Sequence, residues 1–533
     1  MKSHLKTLLA AGTAAAALAG PAAARTEISP YLELGQVLVA DLKGPDDEVL
    51  TYSQIAAGVD AQVTGDRAQL QLNYRYERRI AWDDNVADDD IHTGLARGAI
   101  QVVPNLLTLE AGALAQRART DIRGNAPGIL EGNIDNVSQV YSVYAGPTLA
   151  TRAGPLNVGA AYRVGYTKAE AGNFVAAPGQ PRLDKFDDSV SHLATASVGM
   201  DAGELPVGWT VQGAYERTDA GQLDQRFEQK GVQLSLIAPV SPTVAAVGTV
   251  GYEDIEVSQK APLLDAGGQP VVDGRGRFVE DSASPRLLAY DQDGIYWDAG
   301  VLWRPSRRTS VEARVGRRYG SMTYTGSATW QPTENTALQV AAFDEVTTFG
   351  AQLNDNLARL PTAFANPGGA FGSNLGCVGG SGGGLGGCFN PALQSINSSA
   401  YRARGVVALY STGYGRWSAS ASGGYLRRTY KTPIIAGTFN LDGLADESWF
   451  GQGQLGYKID DRSNVGGAIF ANLYDSGIAG APNVLSTGAT AAYNRLFGRR
   501  LSATAALGIY SDKVDGFESD LVGTAYLGMR YQF

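Results

Sequence analysis

The chain has 533 residues, 44% of them hydrophobic, with 67 Gly, 25 Tyr and two Cys. Those proportions suit an exported all-β protein better than a cytosolic enzyme. The net charge of −9 argues against nucleic acid as a partner.

The chain opens MKSHLKTLLAAGTAAAALAGPAAARTE. Lys2 and Lys6 make a positive start, residues 8–18 are an apolar run too short to span a bilayer, and Ala22-Ala23-Ala24 are small. The pattern predicts a secretory signal peptide over 1–24, cut after Ala24. No later run of eighteen apolar residues follows, so no transmembrane helix is expected. Residues 25–533 then form one domain, with its first strand at about 28–39.

From there the chain alternates with period two. In AQLQLNYRYE (68–77) the residues Ala68, Leu70, Leu72, Tyr74 and Tyr76 share one face, and Gln69, Gln71, Asn73, Arg75 and Glu77 share the other. Similar stretches recur at 55–63, 106–116, 156–167, 310–316, 417–425, 449–459, 465–474 and 501–510. Their length crosses a hydrocarbon layer as a tilted strand. Short turns fall at 64–67, 103–105, 152–155, 203–208, 239–242, 304–308, 331–335, 413–416, 460–463 and 497–500, each rich in the residues that tight turns require. Longer connections lie between them. The count predicts a closed antiparallel transmembrane β-barrel of about 22 strands (20 to 24), with short periplasmic turns, long extracellular loops and both termini periplasmic.

The polar strand faces are expected to line the lumen, with Gln69, Gln71, Asn73, Arg75, Glu77, Arg163, Glu312 and Arg314 among them. Around 22 strands enclose a space too wide for side chains alone to fill. The connections at about 258–292 and 347–400 are candidates to fold inward, and Phe349, Leu353, Leu357 and Leu360 have the spacing of an amphipathic helix. Cys377 and Cys388 flank a Gly-rich tip in the second of these, and an oxidising compartment favours a disulfide between them. Three Arg pairs, Arg78-Arg79, Arg317-Arg318 and Arg427-Arg428, end upward strands beside aromatics. They are expected as outer-rim contacts to anionic glycolipid.

No catalytic constellation stands out. His92 lies beside the acidic run 82–92, which reads as a solvated loop, and His192 sits mid-strand among apolar residues. The acidic runs 44–48 and 83–90 match no defined calcium loop, and there is no metal-ligand spacing or phosphate-cradling loop. No enzyme activity and no cofactor are expected.

The last strand ends on Phe533 with Tyr531 two before it. This resembles the assembly signal of bacterial outer-membrane barrels, which implies the barrel-insertion machinery as a partner. Twenty-two strands also resemble TonB-dependent receptors, but the plug domain that family carries before its first strand is not seen here, so receptor-type transport is disfavoured. The stretches PYLELGQVLVADL, YRYERRIAW, DNVSQVYSVYAGP and ASPRLLAYD resemble a group of alphaproteobacterial (sphingomonad-type) outer-membrane β-barrels of unassigned role. That group is distantly similar to outer-membrane proteins associated with exopolysaccharide and exosortase systems. The reading is a passive porin-like channel or export conduit for polar solutes such as oligosaccharides, narrowed by inward loops. The alternative is a non-conducting barrel that binds glycolipid or a partner protein; an outer-membrane hydrolase is disfavoured. The sequence leaves the oligomeric state open.

Overall fold

A computed structural model describes residues 25–43, 49–82, 89–121, 129, 131–132, 136–170, 181–203, 205–364, 371, 376–380, 386–435 and 438–533. The cleavage site at Ala24, the acidic run 44–48 and most of the run 83–90 lie outside the described residues.

Twenty-two antiparallel strands form one closed sheet. Neighbours in sequence pair in turn, and the first strand, Arg25–Lys43, pairs with the last, Asp520–Gln532. That seam runs from Tyr31↔Gln532 to Lys43↔Leu521, with a register shift after Asp41. Closure satisfies the backbone of both edge strands, the condition for strands to sit in lipid. An even strand count brings both termini to the end that carries the short turns. Each of the ten short turns joins two strands where the Gly, Pro, Asn and Asp clusters fall. Asn105 takes a positive φ of 59°, a conformation Asn tolerates well, in one of them.

The outward face is apolar. Ile295, Ile469, Leu507 and Leu527 are each at least 65% exposed. Such exposure fits a hydrocarbon surrounding and not water. Aromatics collect at both ends of this face: Trp82, Tyr166, Tyr324 and Trp449 towards the long loops, and Trp303, Trp330, Trp417 and Tyr531 towards the short turns. Two such belts mark the two interfaces of a bilayer. Among the described residues no helix is long and apolar enough to cross a membrane.

The inward face departs from the simple polar pattern at the long-loop end. Leu95, Leu114, Val140 and Tyr144 point inward on three adjacent strands and are buried under loop residues. Val37, Val39, Tyr52 and Tyr526 do the same around the seam, against Ile129 and Phe371. Two more apolar clusters, one around Tyr401 and Tyr430 and one around Phe227 and Ile255, complete the circuit. The inward face is therefore polar only in part. Where a loop folds against the wall, the wall supplies apolar side chains to bury it.

Candidate functional site

The strand Thr336–Thr347 does not turn directly into its partner Ala400–Tyr414; described residues between them, from Phe349 to Phe364 and from Phe389 to Ile396, pack inside the barrel. Residues 349–359 form a helix. Thr348 caps its start, its side chain accepting from the Ala351 backbone N–H, and Arg359 lies in its last turn, favourable at both ends. Phe349, Leu353 and Leu357 recur one turn apart and are fully enclosed, with Leu360 just beyond them. They pack on Leu95, Leu114, Val140 and Tyr144, and Phe186 meets Phe349 edge-on at 5.1 Å.

Polar contacts fix the helix to the same wall. Asn354 donates from Nδ2 to Ser191 Oγ (3.0 Å) and accepts from Ser142 Oγ (2.9 Å). Arg163 Nη1 bonds Asp355 Oδ1 at 2.7 Å. Arg97 donates to the carbonyls of Ala358 (3.0 Å) and Leu360 (3.2 Å), and its Nη2 also reaches Glu110 at 3.0 Å. From across the lumen the Tyr401 hydroxyl donates to Gln352 Oε1 (2.9 Å). Further on, Gln71 brackets Phe364 like a β-pair, donating to its carbonyl and accepting from its N–H, both at 2.8 Å. Gln69 accepts from the Thr362 hydroxyl at 2.5 Å.

The other lumenal residues expected from the sequence pair among themselves. Asn73 donates to Asp60 (2.8 Å), and Arg75 binds Glu77 and Glu33, the latter at 2.9 Å. Arg314 bridges Glu312 (2.5 Å), Asp298 (2.8 Å) and Thr249 (2.8 Å). Cys377 and Cys388 are joined by a disulfide and sit opposite each other in a two-residue ribbon. Phe389, just after it, is fully buried in the same cluster as the helix.

The three Arg pairs do not act as pairs at the rim. Adjacent strand residues point to opposite faces. Arg79 therefore turns inward to Glu77 (2.9 Å) and Glu131 (2.7 Å), Arg318 to Glu253 (2.6 Å) and Arg428 to Asp446. These three cannot reach glycolipid, which corrects that expectation. Arg78, Arg317 and Arg427 face outward; Arg78 meets Asp90 and Arg427 meets Glu447, both at 3.0 Å.

The inward Arg428 is the centre of a buried cluster that the sequence did not signal. Asp446 accepts from Arg428, from Tyr430 Oη (2.6 Å) and from Tyr474 Oη (2.8 Å), while Arg428 Nη1 donates to the Ser395 carbonyl (3.0 Å). Thus the far end of the inserted segment is held by the opposite wall. Arg97, Asn354 and Asp446 were all missed. The available signal was apolar residues on a lumenal face: Leu95, Leu114 and Val140 alternate in phase with Asn73 and Gln116, not with the lipid face.

The second candidate connection, 260–286, behaves differently. It folds on itself through the bridges Pro262↔Glu280 and Val272↔Phe278. Neighbouring loops then hold it: Arg182 Nη1 donates to the Pro270 carbonyl (2.9 Å), and Arg277 binds Asp187. Asp184 lies beneath, accepting from Phe278 N–H (2.9 Å), Lys185 N–H (3.0 Å) and Gln222 Nε2 (2.6 Å), and burial pushes its carboxyl up to about 7. His92 and His192 lie among outward tyrosines, within 2.7 Å of the Tyr74 and Tyr162 hydroxyls respectively. Among the described residues no group of three His, Cys, Asp or Glu side chains could hold a metal ion.

No protein family and no curated protein matches the chain. Among solved structures it is similar to the ferric-catecholate import receptor Fiu from E. coli K12 in its open form, at 12% identity, 95% coverage of this chain, 81% of that chain and a TM-score of 0.44. The siderophore receptor PiuA from Acinetobacter baumannii aligns at 10% identity over 94% of this chain and 82% of that chain, with a TM-score of 0.45. The FrpB iron transporter from Neisseria meningitidis aligns at 10% identity over 95% and 82%, with a TM-score of 0.44. These likenesses concern the barrel architecture. The passive porin-like channel expected from the sequence is corrected by the contents of the lumen. The described residues of the 349–364 and 389–396 stretches fill the lumen beside Leu95, Leu114, Val140 and Tyr144, more than the narrowing expected.

Proposed function

We propose that the chain is an outer-membrane transport protein of receptor type, whose 348–399 segment is a gate that yields when a ligand engages the long-loop end. The observation that supports this reading is the way the segment is held. Among the described residues it joins the sheet at Thr347 and Ala400, and wall side chains such as Arg97, Ser142, Ser191 and Arg428 grip it through polar contacts that water can replace. In this reading the short turns and both termini face the periplasm. The insertion machinery reads the terminal strand at Tyr531 and Phe533. Arg78, Arg317 and Arg427 meet glycolipid phosphate on the outer rim.

Planar-bilayer recording of the refolded protein tests the gate. The intact protein is expected to stay closed, and deletion of residues 350–398 is expected to produce large, stable steps. Large steps from the intact protein, or silence from both, would dismiss a gate in this segment.

A further inference from the structure

Most arginines of this protein are matched with carboxylates, on the lumenal face above all. Parts of the short-turn rim differ, and one of them spans several neighbouring turns. Arg416, Arg462, Arg495, Arg499 and Arg500 are all exposed, and none makes an ion pair among the described residues. They sit on three successive turns that are stitched together by backbone bonds: Lys458 N–H to the Arg416 carbonyl (2.9 Å), Leu496 N–H to the Arg462 carbonyl (2.7 Å) and Gln532 N–H to the Arg500 carbonyl (2.7 Å). The cations therefore form an arc over neighbouring turns, with Asp460, which lies within electrostatic reach of Arg495, and Asp461 among them. Part of the rest of this rim is balanced: Arg152 lies 3.8 Å from Asp201, Arg25 is 2.6 Å from Glu27, and Arg67 follows Asp66; on the turn 304–308, Arg304, Arg307 and Arg308 are again exposed, with Arg308 donating to the Pro332 carbonyl.

The height of the arc identifies what it meets. Trp417 follows Arg416 directly and stacks near Tyr457 at 4.5 Å, and Arg495 lies over the Phe497 ring at 5.8 Å. These rings belong to the aromatic belt, which marks the interface of the bilayer. Cations one residue beyond the belt lie at the level of lipid headgroups. Guanidinium forks there have no carboxylate partner among the described residues, Arg416 donating one N–H to the Ile459 carbonyl (3.0 Å), and they match phosphate oxygens in geometry and charge.

We propose that this arc binds the anionic phospholipid headgroups of the leaflet around the short-turn rim, phosphatidylglycerol being the simplest. The assignment rests on the periplasmic placement of that rim proposed above, because phospholipid forms that leaflet. It does not rest on the gate, and its test reads lipid retention, not conductance.

Native mass spectrometry of the detergent-solubilised full chain, offered phosphatidylglycerol and phosphatidylethanolamine in equal amounts, reads the binding directly. The intact protein is expected to retain phosphatidylglycerol preferentially, and added salt is expected to weaken this. The variant Arg416→Gln, Arg462→Gln, Arg499→Gln, Arg500→Gln is expected to bind it roughly tenfold more weakly or worse. Arg67→Gln with Arg152→Gln, on the balanced side, is expected to leave retention unchanged. Heat-dependent gel migration verifies that each barrel has closed. Equal retention by the intact and fourfold variants overturns the proposal, and so does an equal loss in the balanced-side control. Unchanged lipid retention with lost binding of polyglutamate would reassign the arc to an acidic protein.

Discussion

Arg97, on the wall strand Asp90–Val103, caps the C-terminus of the lumenal helix through the carbonyl of Leu360, 3.2 Å from its Nε. The same guanidinium reaches the Ala358 carbonyl and is 5.5 Å over the Tyr144 ring. A cation at this end complements the helix dipole and satisfies carbonyls that have no intrahelical partner.

Arg97→Ala is expected to weaken the docking of the segment by about 3 kcal/mol, since charged hydrogen bonds in a buried site each contribute about 1.5–3 kcal/mol. The barrel itself should stay closed. Faster protease cleavage within 360–376, with gel migration unchanged, would show the effect. Unchanged cleavage would remove Arg97 as a latch.

A small residue makes room for the helix. A Cβ added at Gly165 would come within 2.2 Å of Asn354 Nδ2 and 2.7 Å of Ser191 Oγ. Gly165→Ala is thus expected to expel Asn354 from between Ser142 and Ser191 and to raise the frequency of open steps in bilayer recordings. Asn354→Ala on that background removes the clash, so the double variant should open less often than Gly165→Ala alone. Additive opening would mean that the two positions act separately.

The Arg428–Asp446 pair is buried and serves both the wall and the inserted segment. Removing one partner leaves the other charge buried and uncompensated, a cost of about 3–5 kcal/mol. Asp446→Ala is therefore expected to lower the thermal midpoint strongly. Arg428→Met together with Asp446→Leu should recover much of that loss. If the double variant is no better than Asp446→Ala, the cost lies in lost packing and not in the stranded charge.

Asp184 makes the outer loops sensitive to pH. Its folded value is raised to about 7 from an ordinary 3.8, so folding favours the uncharged form. The stabilisation is full below the ordinary value and is lost as pH rises through about 7. Hydrogen exchange in 181–187 and 260–286 is accordingly expected to quicken above neutrality. Asp184→Asn keeps an acceptor for Phe278 N–H and should flatten that dependence. A wild-type profile that is already flat would contradict the assignment.

The disulfide closes a loop of modest length, Cys377 to Cys388, over a Gly-rich tip. In the chain-entropy view a loop of this size is worth about 2–3 kcal/mol to whatever unit it constrains. That unit is the inserted segment and not the sheet. Reduction is expected to expose 377–388 to protease while the barrel keeps its heat-stable migration. Unfolding of the whole barrel on reduction would place the bond in the core of stability instead.

Much of the architecture was legible in the sequence because its causes are local. Alternation such as Leu70, Leu72, Tyr74 against Gln71, Asn73, Arg75 assigns two faces to a strand wherever that strand goes. Turn residues act within a few positions, so the ten short turns, the strand count and the shared end of the two termini followed from the chain alone. The helix at Phe349, Leu353 and Leu357 was visible for the same reason: one apolar face at helical spacing. The single-sided reach of Arg79, Arg318 and Arg428 was also implied by the pleat, because neighbours in a strand must diverge.

Tertiary structure alone decided what the lumen contains. Leu95, Leu114 and Val140 read as ordinary strand residues until closure brings them under Leu353 and Leu357. Arg97 and Leu360 are 263 positions apart, and no local rule links them. The arc at Arg416, Arg462 and Arg500 likewise exists only because successive hairpins pair and set their turns side by side. Alternation and turn chemistry are properties of a few adjacent residues. The fit of a loop against a wall, and the summed charge of a rim, depend on which distant strands become neighbours.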